Sequence, residues 1–370
     1  MNRQRNRPSV FPKIPGRANS SRFSNFVSSF LGFILIASSP AFGDTQDATV
    51  PPVDMPDDMN EVPAKAIAPP PVGVRFGEPL EGEHFRISYQ YERVQKQGLL
   101  VSDEHVRPGE LFDNVAPSPV YIRVPRSLAI TVHTFQLAYA PHPRVTLVAE
   151  LPFLQKELET LAATGIRSEV QTQGVGDLGF AVVLPFIRKG NESSHIHFGF
   201  DVPTGSIRRG GDVTRLPYDS QIGNGTVDLE WGWTYRGFMD ELSWGGQVVG
   251  RHPVGRNDLD YREGSRFEAS FWGAFQLLEG LSASLRMNWE KRNNIRLRRR
   301  VSNAPLLDVS DNAKARGGTT LTISPGLTLE IPQLGNQRIS VEVGIPFHQD
   351  LDGPQLEEDW SVKAGWQWGF

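Results

Sequence analysis

The sequence predicts an all-β protein closed into a transmembrane, antiparallel up-and-down β-barrel of about twelve strands, with roughly ten to fourteen allowed by the pattern. Three observations predict it: period-two alternation repeats from His84 to the end, an export signal precedes it, and the chain ends on an aromatic strand. In that strand Trp360, Val362, Ala364, Trp366, Trp368 and Phe370 share one face, while Ser361, Lys363, Gly365 and Gln367 share the other. A segment so divided suits a wall with hydrocarbon on one side and water on the other.

The export signal occupies residues 1–43. Six basic residues and no acid lie there, around an apolar run from Phe26 to Ala37 and a small-x-small site at Ala41-Phe42-Gly43. The run is too short for a membrane-spanning helix, which takes about 20 residues, and has the order of a secretory signal. A mature start near Asp44 moves the formal net charge from −4 to −10. An acidic chain argues against nucleic acid as a partner, because phosphate backbones are neutralised by Lys and Arg. The absence of cysteine excludes a disulfide framework, thiolate catalysis and Cys-type zinc sites. Residues 44–83 are rich in Pro, with Asp54, Asp57, Asp58 and Glu61 interleaved, and read as a disordered periplasmic leader ahead of a barrel over residues 84–370.

The strands follow in order. Apolar faces run through Phe85/Ile87/Tyr89/Tyr91, Phe135/Leu137/Tyr139, Val145/Leu147/Ala149/Leu151/Phe153, Leu178/Phe180/Val182/Leu184 and Ile196/Phe198/Phe200/Val202. They continue through Val227/Leu229/Trp231/Trp233/Tyr235, Leu242/Trp244/Val248, Phe267/Ala269/Phe271/Phe275, Leu281/Ala283/Leu285/Met287/Trp289, Leu321/Ile323/Leu327/Leu329 and Ile339/Val341/Val343/Ile345/Phe347. The interleaved face carries Arg86, Glu150, Asp177, Asp201, Asp228, Glu230, Arg251, Arg266, Glu268, Arg286, Glu290, Glu330, Glu342 and Lys363. These, with His195 and His197, are the expected pore-lining residues. A Lys or Arg facing lipid at mid-depth costs about 2–4 kcal/mol, so this sorting has an energetic cause. Short links near 141–144, 187–193, 236–240, 278–280 and 332–337 alternate with long ones near 95–132, 159–173, 205–222, 253–263, 294–316 and 350–358. That is the asymmetry of short periplasmic turns and longer outer loops. A soluble β-sandwich shows the same alternation with its apolar face inside. The signal, the strand-end aromatics and the loop asymmetry favour the barrel, hence the bacterial outer membrane.

Four motifs carry a resemblance: Leu151-Pro152-Phe153, Gly174-Val175-Gly176-Asp177-Leu178-Gly179, Pro203-Thr204-Gly205 and Asp352-Gly353-Pro354-Gln355-Leu356. In that order they resemble the outer-membrane transporter family named for the meta-pathway of phenol degradation, over most of residues 84–370. The resemblance implies a channel for passive uptake of small solutes, aromatic or hydrophobic compounds among them. The ending also resembles that of outer-membrane barrels as a class, which implies that Trp366, Trp368 and Phe370 form a signal read by the barrel-assembly machinery. Outer-membrane lipid and lipopolysaccharide are then the surroundings.

Chemistry is sparse. The Gly-x-Gly-Asp-Leu run precedes a strand, so no helix N-terminus is available to hold a phosphate, and its glycines let a strand twist as it leaves a loop. His195 and His197 lie two apart on the inward face, with Asp201 further along, and His348 is expected to face inward as well. Two imidazoles so placed suit a metal, but polar lining is the plainer reading and no metal or cofactor is assigned. No His is followed two residues later by Ser, so the local nucleophile-and-base spacing of a lipid-modifying barrel is missing; such an enzyme, with a distant Ser as partner, stays the lesser alternative, and no catalytic residue is assigned. Arg296, Arg298, Arg299 and Arg300 form the strongest basic cluster. If the ninth strand continues beyond the membrane, Arg296, Arg298 and Arg300 share the inward face of Arg286 at the outer mouth, to attract anions there or to meet lipopolysaccharide phosphates. A closed structural or surface-recognition barrel, with its charges paired across the lumen, is the alternative to a channel.

Overall fold

A backbone that crosses hydrocarbon must pair all its own N–H and C=O groups, which a sheet achieves by closing on itself. The computed structural model of the chain describes residues 68–80, 84–112, 121–210, 215–297, 308–332 and 335–370, and these form such a closed sheet. The expected signal and residues 44–67 lie outside the described residues. The wall comprises β1 (Phe85–Ser102), β2 (Arg123–His142), β3 (Val145–Ala162), β4 in two pieces (Arg167–Val175 and Leu178–Lys189), β5 (Glu192–Val202) and β6 (Val227–Met239). It continues with β7 (Leu242–Val254), β8 (Arg266–Leu278), β9 (Leu281–Arg292) and β10 (Gly318–Ile331).

The last extended element, Gln337–Gly369, crosses the wall twice. Its first part pairs with β10, from Ile331↔Gln337 to Gly318↔Leu351, and its second with β1, from Ser102↔Leu351 to Arg86↔Gly369. Gln349 Nε2 donates to Glu358 O at 2.8 Å and Trp366 Nε1 to Gln337 Oε1 at 3.0 Å, tying the two halves into a hairpin that turns at Gly353 (φ 96°). We call these halves β11 (337–351) and β12 (355–369). Eleven elements, one of them in two pieces, thus supply twelve staves among the described residues, each hydrogen-bonded to its sequence neighbours, and β12 meets β1 to close the barrel. The seam is sealed at the terminus, where Phe370 N–H donates to Phe85 O and Phe85 N–H to Phe370 O, both at 2.9 Å.

The apolar face points outward. Phe271 is 68% exposed, Phe135 55% and Leu285 52%, and the long side chains of the alternating runs share this exposure, whereas Thr234, Ser243, Ser324 and His197 on the opposite face are fully buried. A sandwich with a dry apolar interior is excluded. The short links stand as two- to five-residue turns, and the first long link is shorter than its sequence range because residues 95–102 and 123–132 extend β1 and β2. The expected loop at 350–358 is a correction: both flanks stay extended and only the turn at Gly353 separates them.

Two irregularities redirect side chains. Between the pieces of β4, pairing with β3 steps from Phe153↔Val175 to Glu150↔Gly179, and Gly176 N–H donates to Pro152 O at 2.9 Å, so the wall stays closed. A Cβ on Gly176 would press into Leu154 and Pro152. The following Asp177 pins the outer loop by accepting from Gly205 N–H at 2.8 Å and Asn224 N–H at 2.9 Å. In β11 a bulge shifts the register so that His348 pairs with outward Leu321. His348 is therefore exposed on the outer wall, against the expectation that it faces inward.

Because position relative to the membrane sets the cost of a charge, Leu327→Arg on the lipid face of β10 should lower unfolding free energy in lipid vesicles by about 2–4 kcal/mol. Thr319→Arg, on the same face at the outer rim, should cost no more than about 1 kcal/mol. Denaturant titration of the two variants checks this depth dependence.

Candidate functional site

The lumen is occupied by the chain's own residues 68–80, the described part of the segment expected to be a disordered periplasmic leader. The run reads Ala-Pro-Pro-Pro-Val-Gly-Val-Arg-Phe-Gly-Glu-Pro-Leu, with Arg75 and Glu78 its only charges. Pro restricts the backbone before any contact is made, which lowers the entropy lost on seating it. It starts beside the turn joining β6 and β7, where Ser243 Oγ donates to Ala68 O at 2.6 Å. It rises to Arg75 and descends to Leu80, whose N–H donates to Thr146 Oγ1 at 3.1 Å near the foot of β3. There Leu80 is 2% exposed against inward Ala138, Ala140, Val148 and Val183, an apolar seat inside a polar lumen.

Arg75 is the principal anchor. Its guanidinium donates to Glu150 Oε2 at 2.7 Å and, through Nε, to Glu230, while Gln247 grips its backbone from both sides: Arg75 N–H donates to Gln247 Oε1 at 3.1 Å and Gln247 Nε2 to Arg75 O at 2.6 Å. Glu230 also accepts from Arg251 Nη2 at 2.5 Å, and Arg251 lies 3.1 Å from Asp201. Phe76 turns the segment downward with φ 46°, a conformation unusual for a side-chain-bearing residue. Its carbonyl accepts from His195 Nε2 at 2.8 Å, the Arg75 guanidinium lies 4.5 Å from its ring centroid, and His197 meets its ring edge-on at 5.0 Å. His197 lies over Gly232, where a Cβ would overlap the imidazole, with Nε2 3.5 Å from Glu230. The two imidazoles thus serve the segment separately, and among the described residues no three His, Asp or Glu side chains are placed to hold a metal. Glu78 pairs with Arg236 and with Arg338, the latter at 2.6 Å, and Arg338 reaches on to Glu330 at 2.8 Å.

The remaining expected lining residues occupy other parts of the interior. Arg286 and Glu342 form an ion pair 7% and 2% exposed, and Gly73 N–H donates to Glu342 Oε2 at 3.3 Å. Removing one partner of so buried a pair typically costs about 3–5 kcal/mol. Lys363 lies 3.3 Å from Glu92, and Arg266 lies 3.5 Å from Glu290 and 3.9 Å from Glu268. Asp228 accepts from Thr226 Oγ1 at 2.8 Å and Asn224 Nδ2 at 2.9 Å, so like Asp177 it fastens an outer loop. Arg86 reaches Glu78 O at 3.5 Å by the periplasmic mouth. At the seam, Trp366 bonds Gln337, and Phe370 stacks on Phe85 at 5.8 Å and meets the tilted ring of Trp368 at 4.9 Å.

The basic cluster at the outer mouth requires a correction. β9 ends at Arg292, and after Asn293–Ile295 the chain leaves the wall, so Arg296 pairs with Arg262 in a separate two-stranded sheet instead of extending the inward face of Arg286. Arg298, Arg299 and Arg300 lie outside the described residues. The outer loops are instead joined by Arg316 with Asp219 and by Arg215, which lies 3.3 Å from Asp311 and 4.4 Å from the Tyr218 ring centroid. Burial pushes the Asp219 carboxyl up, but Arg316, Lys96 and Lys156 outweigh it and hold the group below its ordinary value. The Lys156 ammonium donates to Gln221 O at 2.6 Å.

Arg75, Glu78, Glu92, Arg236 and Arg338 take part in the interior ion pairs, and alternation alone did not single them out. Glu92, Arg236 and Arg338 have the inward parity of their strands. Arg75 and Glu78 stand out only as the two charges of an otherwise uncharged run next to β1.

Three polar-lined cavities lie around the segment. A cavity of about 420 Å³ at the periplasmic mouth shares Arg86, Arg338 and Gln367 with one of about 270 Å³ beside the segment. The latter shares Gly73, Glu92, Arg266, Glu268 and Lys363 with a third, of about 230 Å³, towards the outer loops.

No family model matches the chain, and no curated protein matches it. Among solved structures, the COG4313 outer membrane channel from Pseudomonas putida F1 is similar over 79% of this chain and 97% of that one, with 13% identity and a TM-score of 0.52. A Pseudomonas aeruginosa FadL homologue aligns over 80% and 93% of the two chains, with 9% identity and a TM-score of 0.40. The deltaS2 mutant of the TodX monoaromatic hydrocarbon channel aligns over 78% and 91%, with 8% identity and a TM-score of 0.43. With its closed sheet, outward apolar belt and polar lumen, the chain has the fold of a bacterial outer-membrane β-barrel.

Proposed function

We propose that the protein is an outer-membrane channel for passive uptake of small polar or ionised solutes, with its aperture set by residues 68–80. The observation that carries this reading is the series of three cavities around the segment, each sharing wall residues with the next. Solutes crossing by such a route exchange water for weak contacts with lining groups, and no bond is made or broken. An aromatic solute bearing a carboxylate or hydroxyl suits this lining. A bare hydrocarbon would gain no apolar contact to offset disturbing the hydrated charges. The motif resemblance to the phenol meta-pathway transporters, and the channel nature of the similar Pseudomonas putida barrel, support the same class of function. Export by the signal in 1–43, delivery by the assembly machinery reading Trp366, Trp368 and Phe370, and a lipopolysaccharide environment complete the proposal.

Planar-bilayer recording tests it. The full mature chain should give small, discrete conductance steps, and deletion of residues 68–80 should enlarge them severalfold by clearing the lumen. Absence of steps from both proteins would favour the closed scaffold. In cells, Phe370→Ala removes the ring that packs on Phe85 and Trp368 and should reduce the amount of heat-modifiable protein in the outer membrane, whereas Phe370→Trp should restore it.

A further inference from the structure

We infer that the junction between the two inner cavities is the selectivity-determining neck of the channel, and that its ion pairs Lys363–Glu92 and Arg266–Glu268 balance passage of cations against anions. This rests on the channel reading above. The two cavities share only Gly73, Glu92, Arg266, Glu268 and Lys363, so a solute moving between them passes all five.

The neck is narrow because residues 68–80 lean into it. Gly73 presses its backbone against the buried Arg286–Glu342 pair, donating to Glu342 at 3.3 Å, and a Cβ there would collide with the Arg286 guanidinium. Its neighbours Val72 and Val74 bring no charge, so the strands supply the whole field at this level.

The neck pairs differ from that sealed pair. Lys363 and Glu92 are 26% and 29% exposed at 3.3 Å, and Arg266 and Glu268 are 38% and 36% exposed at 3.9 Å. These groups remain open to the cavities and can exchange partners with a passing ion, whereas Arg286–Glu342 cannot. Fixed charges lining a constriction with low-dielectric walls focus their field on the path. One ammonium, one guanidinium and two carboxylates, with Glu290 just beyond at 3.5 Å from Arg266, offer each sign of ion a compensating contact, which makes the native neck weakly selective. Neutralising one sign removes that balance.

The test is the K⁺/Cl⁻ permeability ratio, measured from the reversal potential of the full mature chain in a KCl gradient. Lys363→Gln and Arg266→Gln should each raise the ratio by about fivefold, the factor that one unit charge exerts at 4 Å through water. Glu92→Gln and Glu268→Gln should lower it by a similar factor. Lys291→Gln, on the outer wall, should leave it unchanged. Lys363→Cys, modified with an aminoethyl thiosulfonate, should regain the native ratio, which separates a lost charge from a distorted barrel. An unchanged ratio in all four neck variants, or no recovery on restoring the ammonium, would overturn the assignment. Absence of conductance in the native protein would instead sink the channel reading beneath it.

Discussion

Closure of the sheet is the constraint on which the rest depends. In hydrocarbon an unpaired backbone group costs several kcal/mol, so the first and last strands must find each other. Here β12 runs along β1 from Gly369 to Gln355, and the terminal Phe370 completes the seam with Phe85. Once the wall is closed, period-two geometry sends every second side chain into a confined space. Apolar groups go to the lipid side, and the interior is left with the charged residues that cannot go there.

Charges confined in this way need partners, and the chain supplies some of them from its own N-terminal side. Arg75 enters a region where Glu150, Glu230 and Asp201 outnumber Arg251, while Glu78 enters one held by Arg236 and Arg338. The two charges of the segment are thus each placed opposite a local excess of the other sign. Leu80 adds an apolar contact in a patch of small inward residues near the periplasmic end. The segment is both a structural counter-charge and an obstruction. Lys363 and Arg266 keep part of their side chains exposed to the interior cavities.

Most of the wall was legible in the sequence because lipid imposes a simple rule on alternate residues. The outward runs ending in Tyr91, Trp289 and Phe370 declare their strands without reference to tertiary contacts. The failures share a different cause. His348 was misplaced because a single bulge reverses parity and leaves no compositional mark. The outer limits of β1, β2 and the final hairpin were missed because beyond the membrane both faces of a strand are wet and the alternation fades. Arg296 was assigned to a continuing ninth strand that turns away after Arg292. The segment 68–80 was invisible for a deeper reason. Pro-rich composition speaks against regular structure in isolation, but it says nothing of a cavity shaped by residues scattered over β2–β12. Only the solitary Arg75 and Glu78 hinted at partners elsewhere.

The central claim is that residues 68–80 reside inside the closed barrel in the native membrane. Because the chain has no cysteine, it can be tested with a single introduced pair, Ala68→Cys with Ser243→Cys, at positions whose groups touch at 2.6 Å in the structure. A short bifunctional thiol reagent applied to outer-membrane vesicles should bridge the two, and neither thiol should react with a bulky maleimide. Free reaction of both thiols with the bulky reagent, and no bridged product, would contradict the account.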